Sequence, residues 1–291
     1  MEKKAIALAQ PGLFVEGAVA GHSLEWTLSG DPREALAALA ALDPAGAIIG
    51  IGAPLVAALE RRVDGLRPFP EIAGSITMPS TQNALWAYVM DATPGEAFAR
   101  AESLERHLRG PFALVESLPL FRYRDGRDLT GYKDGTANPE GDDAAATALI
   151  AEGARKGGSF ALVQRYVHYR SRFSRLSEAE RDDVIGRRYA DNEEMEEAPE
   201  TSHVRRTDQE GYDEPAFMVR RSMPWGDLRT HGLQFVAFVN DLDIVERVLR
   251  RMCGLEDGRT DALLRFTAAE TGGYYYCPPM ADGRLDLSGL I

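Results

Sequence analysis

The chain has 291 residues and a formal net charge of −12, with 44% hydrophobic and 27% charged residues. That is the make-up of a water-soluble globular protein, long enough for one large domain or two of ordinary size. The acidic balance argues against nucleic-acid binding, since the arginine pairs Arg205-Arg206 and Arg220-Arg221 are short and have acids nearby. No window approaches the roughly 18 apolar residues of a membrane span.

The opening stretch MEKKAIALAQPGLF has no long apolar run and no twin-arginine pair, so no secretory signal is read and a cytoplasmic location is expected. Two cysteines, Cys253 and Cys277, stand in unrelated contexts and read as buried free thiols in a reducing compartment. A strand is expected near GLFVEGAVA. A helix follows over DPREALAALAAL, with Asp31 as cap and Pro32 in the first turn. Strand AIIGIG and an irregular stretch over 60–82 come next, then strand ALWAYVMDA, helix PGEAFARAESLERHLRG and strand FALVESL. Phe98, Ala101, Leu104 and Leu108 fall at helical spacing in that helix.

The second half begins at strand GGSFALVQRYVHY. Helix SEAERDDVIGRR carries Ser177 and Glu180 at capping-box spacing, and the acidic loop DNEEMEEAPE follows. Strands AFMVRRS and LQFVAFVND, helix DIVERVLRRMCG and a strand around GGYYYC complete the order. Each half is therefore approximately β-α-β-β-α-β, the split βαβ pattern of ferredoxin-like folds, and the class is α+β with antiparallel sheets. The C-terminal GRLDLSGLI reads as domain packing.

Several motifs lead nowhere. GIGAPL lacks the third glycine of a dinucleotide loop and reads as a strand-to-helix turn. Walker A, HExxH and GxSxG sequences are missing, so no hydrolase elbow is present. Of five histidines, His22 is assigned to a loop, His107 to a helix end, His168 to a strand and His231 to a strand start. His203 differs, lying between the acidic loop and a basic pair. It fits either a surface turn or a buried metal ligand whose second ring nitrogen needs a carboxylate or carbonyl. Asp134, in LTGYKDGTANPEG, fits either a solvated turn or a carboxylate held on a tight corner beside a ligand.

Taken together, these segments resemble the dye-decolourising haem peroxidase family, most closely its bacterial cytoplasmic subgroup. LTGYKDGTANPEG is similar to the family's GxxDG segment, with Gly131, Asp134 and Gly135 in register. GGSFALVQRY, DVIGRR and APETSHVRRTD are similar to the stretch that ends on the proximal histidine, here His203. MVRRSMPWG is similar to the strand bearing the distal arginine, here Arg220. HGLQFVAFVNDL and RFTAAETGGYYYCPP are similar to its closing elements. The likeness covers 110–280 closely and the first hundred residues more loosely.

The resemblance implies two ferredoxin-like halves, 1–150 and 151–291, with the haem pocket mainly in the C-terminal half. It implies haem b (iron protoporphyrin IX) held by His203 and backed by Asp261, with Gly135 allowing close backbone approach. Asp134 is the expected proton shuttle, and Arg220 the charge stabiliser and partner of a haem propionate. Ser222 stands where many relatives have asparagine, with shorter reach toward a bound peroxide. Phe238 is a pocket-wall candidate beside ordinary core packing. The implied activity is reduction of hydrogen peroxide through a ferryl intermediate, with oxidation of dyes, phenolics or porphyrin-like donors. The alternative is a haem-handling protein with little turnover, which would have no use for Asp134 and Arg220 together. Bulky donors imply electron transfer from surface aromatics; Trp225 and Tyr274–Tyr276 are candidates, although such strand residues read more plainly as packing. No nucleic-acid or membrane partner is implied, and exposed sheet edges favour a homo-oligomer, a dimer or higher.

Overall fold

A computed structural model describes residues 6–290. The first half runs β1 (Ala20–Leu28), α1 (Pro32–Ala41), β2 (Ile48–Gly52), β3 (Leu85–Asp91), α2 (Pro94–Leu108) and β4 (Phe112–Phe121). Both helices start as their sequence dictates. Asp31 accepts from the Arg33 N–H and Thr93 from the Glu96 N–H, with proline in each first turn. The buried stripe of α2 is Ala97, Ala101, Leu104 and Leu108. Phe98, expected on that stripe, is 60% exposed and meets the ring of His22 edge-on. Ala97 closes the stripe because 97, 101, 104 and 108 follow the helical period.

The first strand also begins later than expected. Residues Pro11–Phe14 form a 3₁₀ turn and Gly17 has φ of 72°, which interrupts the extended run before Ala20. His22 therefore lies buried on β1 rather than in a loop.

The second half runs α3 (Gly141–Ala148), β5 (Ser159–His168), α4 (Glu178–Ile185), the single-turn α5 (His203–Arg206), β6 (Val219–Arg220), β7 (Met223–Gly226), β8 (His231–Val239), α6 (Leu242–Met252), β9 (Thr267–Ala269) and β10 (Gly273–Cys277). The capping box of Ser177 and Glu180 forms as its spacing predicts. GIGAPL is the expected strand-to-helix turn, from β2 into the short helix Ala53–Ala58.

The strands form one antiparallel ten-stranded sheet in the order β9-β5-β10-β2-β3-β1-β4-β7-β8-β6, and β5 also pairs with β8. That last pairing closes a barrel-like ring of eight strands, with β9 and β6 attached outside it. Two separate antiparallel sheets, as the sequence reading drew them, are not found. Edge strands carry unpaired N–H and C=O groups, and here β2 pairs with β10 and β4 with β7, joining the two halves through their edges.

Because side chains alternate along a strand, the ring divides the core in two. One cluster packs beneath α1, α2 and α6 and includes Leu24, Ile49, Val89, Leu162 and Val245. The other occupies the face turned away from those helices and includes Trp86, Tyr88, Val163, Phe238 and Tyr275. Leu285 and Leu290 are buried, so the C-terminal residues pack on the domain. Cys253 and Cys277 are buried free thiols, and among the described residues no helix is long and apolar enough to cross a membrane.

Candidate active site

A cleft of about 1090 Å³ opens between the loop at 133–139, α3, α5 and the start of α6. It continues into a smaller apolar recess between the outer face of the second-half strands and α6. That recess is walled by Leu162, Leu233, Phe235, Val248 and Met252. Asp134, His203 and Arg220, which lie far apart in sequence, line both spaces. The strands and α6 belong to the second half, but residues 128–134 from the first half form one wall, so the pocket is shared.

Asp134 sits on the corner that its sequence suggests. Gly131 and Gly135 have φ of 97° and 73°, a region other residues enter at a cost. The Gly135 N–H donates to Asp134 Oδ1 at 2.6 Å, which leaves Oδ2 free of that bond. Arg220 Nη1 lies 3.5 Å from the same Oδ1. At that separation the pair attracts by charge without a tight hydrogen bond, so both groups retain capacity for a third partner. The Arg220 Nε is buried and has no partner among the described residues.

His203 opens α5, whose cap is the fully buried Ser202. Its Nδ1 donates to Asp261 Oδ2 at 2.7 Å, and Asp261 is fully buried. Asp261 Oδ1 accepts from the Leu263 N–H at 2.9 Å, and the Ala262 N–H reaches the Thr201 carbonyl at 2.7 Å. The acid is thereby fixed against the turn that carries the histidine. Burial lowers the imidazole pKa, but the charge and hydrogen bond of Asp261 outweigh it and the net shift is upward. A ring held in this way presents a basic Nε2, which is the second-sphere arrangement of metal-bound histidines.

Other predicted residues fall differently. Ser222 lines an adjoining cavity of about 270 Å³ that also touches Asp134, Gly135 and Arg220. Its hydroxyl accepts from the Val236 N–H at 3.4 Å. Phe238 is not a pocket wall. It is fully buried in the other core cluster, tilted against Trp86 at 6.3 Å. Strand period explains the miss: Leu233 and Phe235 on β8 face the recess, and an even-numbered neighbour such as Phe238 faces away. Tyr274, Tyr275 and Tyr276 are all fully buried, so none is a surface aromatic.

Two relationships were not legible beforehand. The Asn138 side chain donates from Nδ2 to the Arg220 carbonyl and accepts at Oδ1 from the Arg220 N–H, both at 2.9 Å. This clamp ties the acid's loop to the arginine's strand. Second, Asp128 Oδ1 accepts from His168 Nε2 at 2.9 Å, and His168 Nδ1 lies 2.8 Å from Thr267 Oγ1. Asp128 opens the same loop that carries Asp134 six residues on. Asparagine in NP and aspartate in RD both look like ordinary turn residues, and only distant partners reveal them.

An imidazole backed by a buried acid, facing an apolar recess with an acid and a guanidinium on its wall, is the arrangement of a ring free to ligate at Nε2 beside groups that can move a proton and hold negative charge. A family model described as "Dyp-type peroxidase, C-terminal" matches residues 125–282, just over half of the chain. The chain is 33% identical over 224 residues to the dye-decolorizing peroxidase of Mycobacterium tuberculosis, covering 73% of this chain and 66% of that protein. It is 30% identical over 254 residues to that of Rhodococcus erythropolis, covering 81% and 73%. Among solved structures it is similar to a dye-decolorizing protein from V. cholerae, with TM-score 0.84, 31% identity and coverage of 93% and 97%. It is also similar to a variant of DypB from Rhodococcus jostii RHA1 in complex with heme, with TM-score 0.85, 30% identity and coverage of 94% and 97%. The chain belongs to the Dyp-type peroxidase family.

Proposed function

We propose that the cleft binds haem b, that His203 would hold its iron through Nε2, and that the protein is a peroxidase using hydrogen peroxide to oxidise dyes, phenolics or porphyrin-like donors. The observation that carries this reading is the convergence of His203, Asp134 and Arg220 on one cavity, with Asp261 fixing the imidazole from behind. The residues fit the group. The recess is apolar where a macrocycle needs walls, and the unpartnered Arg220 Nε is a donor suited to a peripheral carboxylate. When bound, a haem held by His203 would supply the redox chemistry of peroxide reduction.

The chain's own residues supply binding, proton movement and charge. Asp134 would accept a proton from peroxide at Oδ2, the oxygen not bonded to the Gly135 N–H, and give it back to the leaving oxygen. Gly135 lets the backbone bring that carboxylate close to the cofactor face. The Arg220 guanidinium, 3.5 Å from Asp134 Oδ1, would stabilise negative charge on the departing oxygen. Ser222 stands in the adjoining cavity, where it can hold a water or peroxide. Asp261 preserves the Nδ1–H tautomer of His203 and raises its donor strength.

In each half the strands take the same spatial order, β2-β3-β1-β4 and β10-β5-β8-β7. This supports reading residues 1–150 and 151–291 as two ferredoxin-like halves. The buried free thiols fit a cytoplasmic protein. Between residues 113 and 119, β4 has no strand partner among the described residues on the side away from β1, an open edge that fits a homo-oligomer.

A haem carrier would need His203 but not an acid and a guanidinium on one wall. Peroxide-driven oxidation of a reporter dye, compared with an equal amount of free haem, tests the choice. The peroxidase reading requires turnover well above free haem, and turnover equal to it contradicts the reading.

A further inference from the structure

Three aromatic rings stack on the face of the sheet turned away from α1, α2 and α6. Tyr88 and Trp86 lie 5.6 Å apart between centroids with planes at 24°, and Trp86 and Tyr275 lie 5.7 Å apart at 28°. All three are fully buried. The outer end adjoins the candidate active site, because the Tyr88 hydroxyl donates at 2.7 Å to the carbonyl of Arg221, the residue that follows Arg220. The inner end is Tyr275, whose hydroxyl donates at 2.9 Å to Glu25 Oε2.

Proton chemistry separates the three rings. Oxidising a phenol or indole by one electron makes its O–H or N–H strongly acidic, so the hole rests where a base can take that proton. The Tyr88 hydroxyl meets a peptide carbonyl and the Trp86 Nε1–H meets the Ser23 hydroxyl at 2.9 Å; neither partner is a base. Of the three donors, only that of Tyr275 meets a carboxylate. Glu25 is 4% exposed, and its Oε2 also accepts from Asn83 Nδ2 at 2.6 Å. Burial raises its proton affinity, opposed by the bonds from Asn83 and Tyr275 and by the charge of Arg165. Tyr274 and Tyr276 have buried hydroxyls with no partner among the described residues and do not qualify.

We propose that Tyr275 is a buried, redox-active tyrosine that stores one oxidising equivalent when no organic donor is present, passing its electron outward through Trp86 and Tyr88 and its proton to Glu25. The inference rests on the peroxidase reading. Hydrogen peroxide is reduced to two waters and needs two electrons. With no donor, Tyr275 supplies one, its O–H bond breaks, and Glu25 Oε2 receives the proton; the haem retains the second oxidising equivalent. Since none of the three rings reaches the surface, the stack does not serve an external donor. It draws the hole away from the cofactor face.

The test is electron paramagnetic resonance of the haem-loaded protein frozen after one equivalent of peroxide without donor, beside its optical spectrum. The wild type is expected to show a tyrosyl signal that Tyr275→Phe abolishes and that Glu25→Gln and Trp86→Phe strongly reduce. Tyr275→Phe removes one oxygen and keeps the ring in its stack, so the fold is retained. A tyrosyl signal that persists in Tyr275→Phe, or a normal optical response to peroxide with no tyrosyl signal in the wild type, overturns the inference and leaves the peroxidase reading standing. No optical response at all defeats the peroxidase reading, and the inference with it.

Discussion

Asp261 and His203 are joined at 2.7 Å, and the other oxygen of the same carboxylate caps a 3₁₀ turn at the Leu263 N–H. One oxygen of this fully buried acid holds the imidazole, and the other anchors the acid to its own turn. Asp261→Asn keeps the size of the group but removes its charge. Haem affinity or activity is expected to fall about 10–100-fold, and the ferric/ferrous potential to rise, because a less electron-rich ligand stabilises the ferric state less. A spectroelectrochemical titration showing an unchanged potential would count against the role given to Asp261.

Arg220 and Asp134 share a wall of the cavity at 3.5 Å without a tight hydrogen bond. Arg220→Leu is expected to slow the reaction with peroxide by roughly 10²–10³-fold, and Asp134→Asn by roughly 10²–10⁴-fold, with haem content retained. Stopped-flow rates equal to wild type in both variants would remove the distal assignment.

Asn138 makes two reciprocal bonds to the backbone of Arg220. Asn138→Ala strands a half-buried N–H and carbonyl of Arg220, at up to about 1–3 kcal/mol each, and loosens the strand that aims the guanidinium. The peroxide reaction should slow, though less than in Arg220→Leu, and the denaturation midpoint should drop. A variant with wild-type stability and rate would show that the clamp positions nothing.

Much of the site was legible because it depends on short ordered segments. KDG marks the corner at Asp134, SHVRR the single-turn helix of His203, and VRRS the strand of Arg220. That a carboxylate stands behind a ligating ring follows from physical need; that it is Asp261 comes from the family resemblance of RTDALLRFT. What was not legible depends on alternation and on distance. Phe238 fits either a pocket wall or core packing, because both faces of its strand are apolar, and strand period settles it as core. Phe98 was read into a helix stripe that begins one residue earlier. Closure of the ring joins strands far apart in sequence, such as β2 and β10, and no local pattern states which edges meet.

Asp128 and His168 form a buried bond that local sequence also hides. Burial raises the Asp128 carboxyl, but the charge and bond of His168, with bonds from Thr130, more than reverse this and set its pKa at about 2. A depressed carboxyl contributes stability above its unfolded value, and that contribution fades as pH falls toward the folded one. Asp128→Asn should therefore cost roughly 2 kcal/mol near neutrality and flatten the loss of stability between about pH 4 and pH 2. Urea midpoints whose acid decline runs parallel to wild type would contradict this.

The central proposal is that His203 would hold a haem iron through Nε2. Its most direct test is the ferric absorption spectrum of His203→Gly, expressed with adequate haem and measured with and without added imidazole, beside the wild type. The account predicts that the variant loses its haem or shows an altered Soret band, and that imidazole restores the wild-type spectrum. A variant whose spectrum matches wild type without imidazole contradicts it.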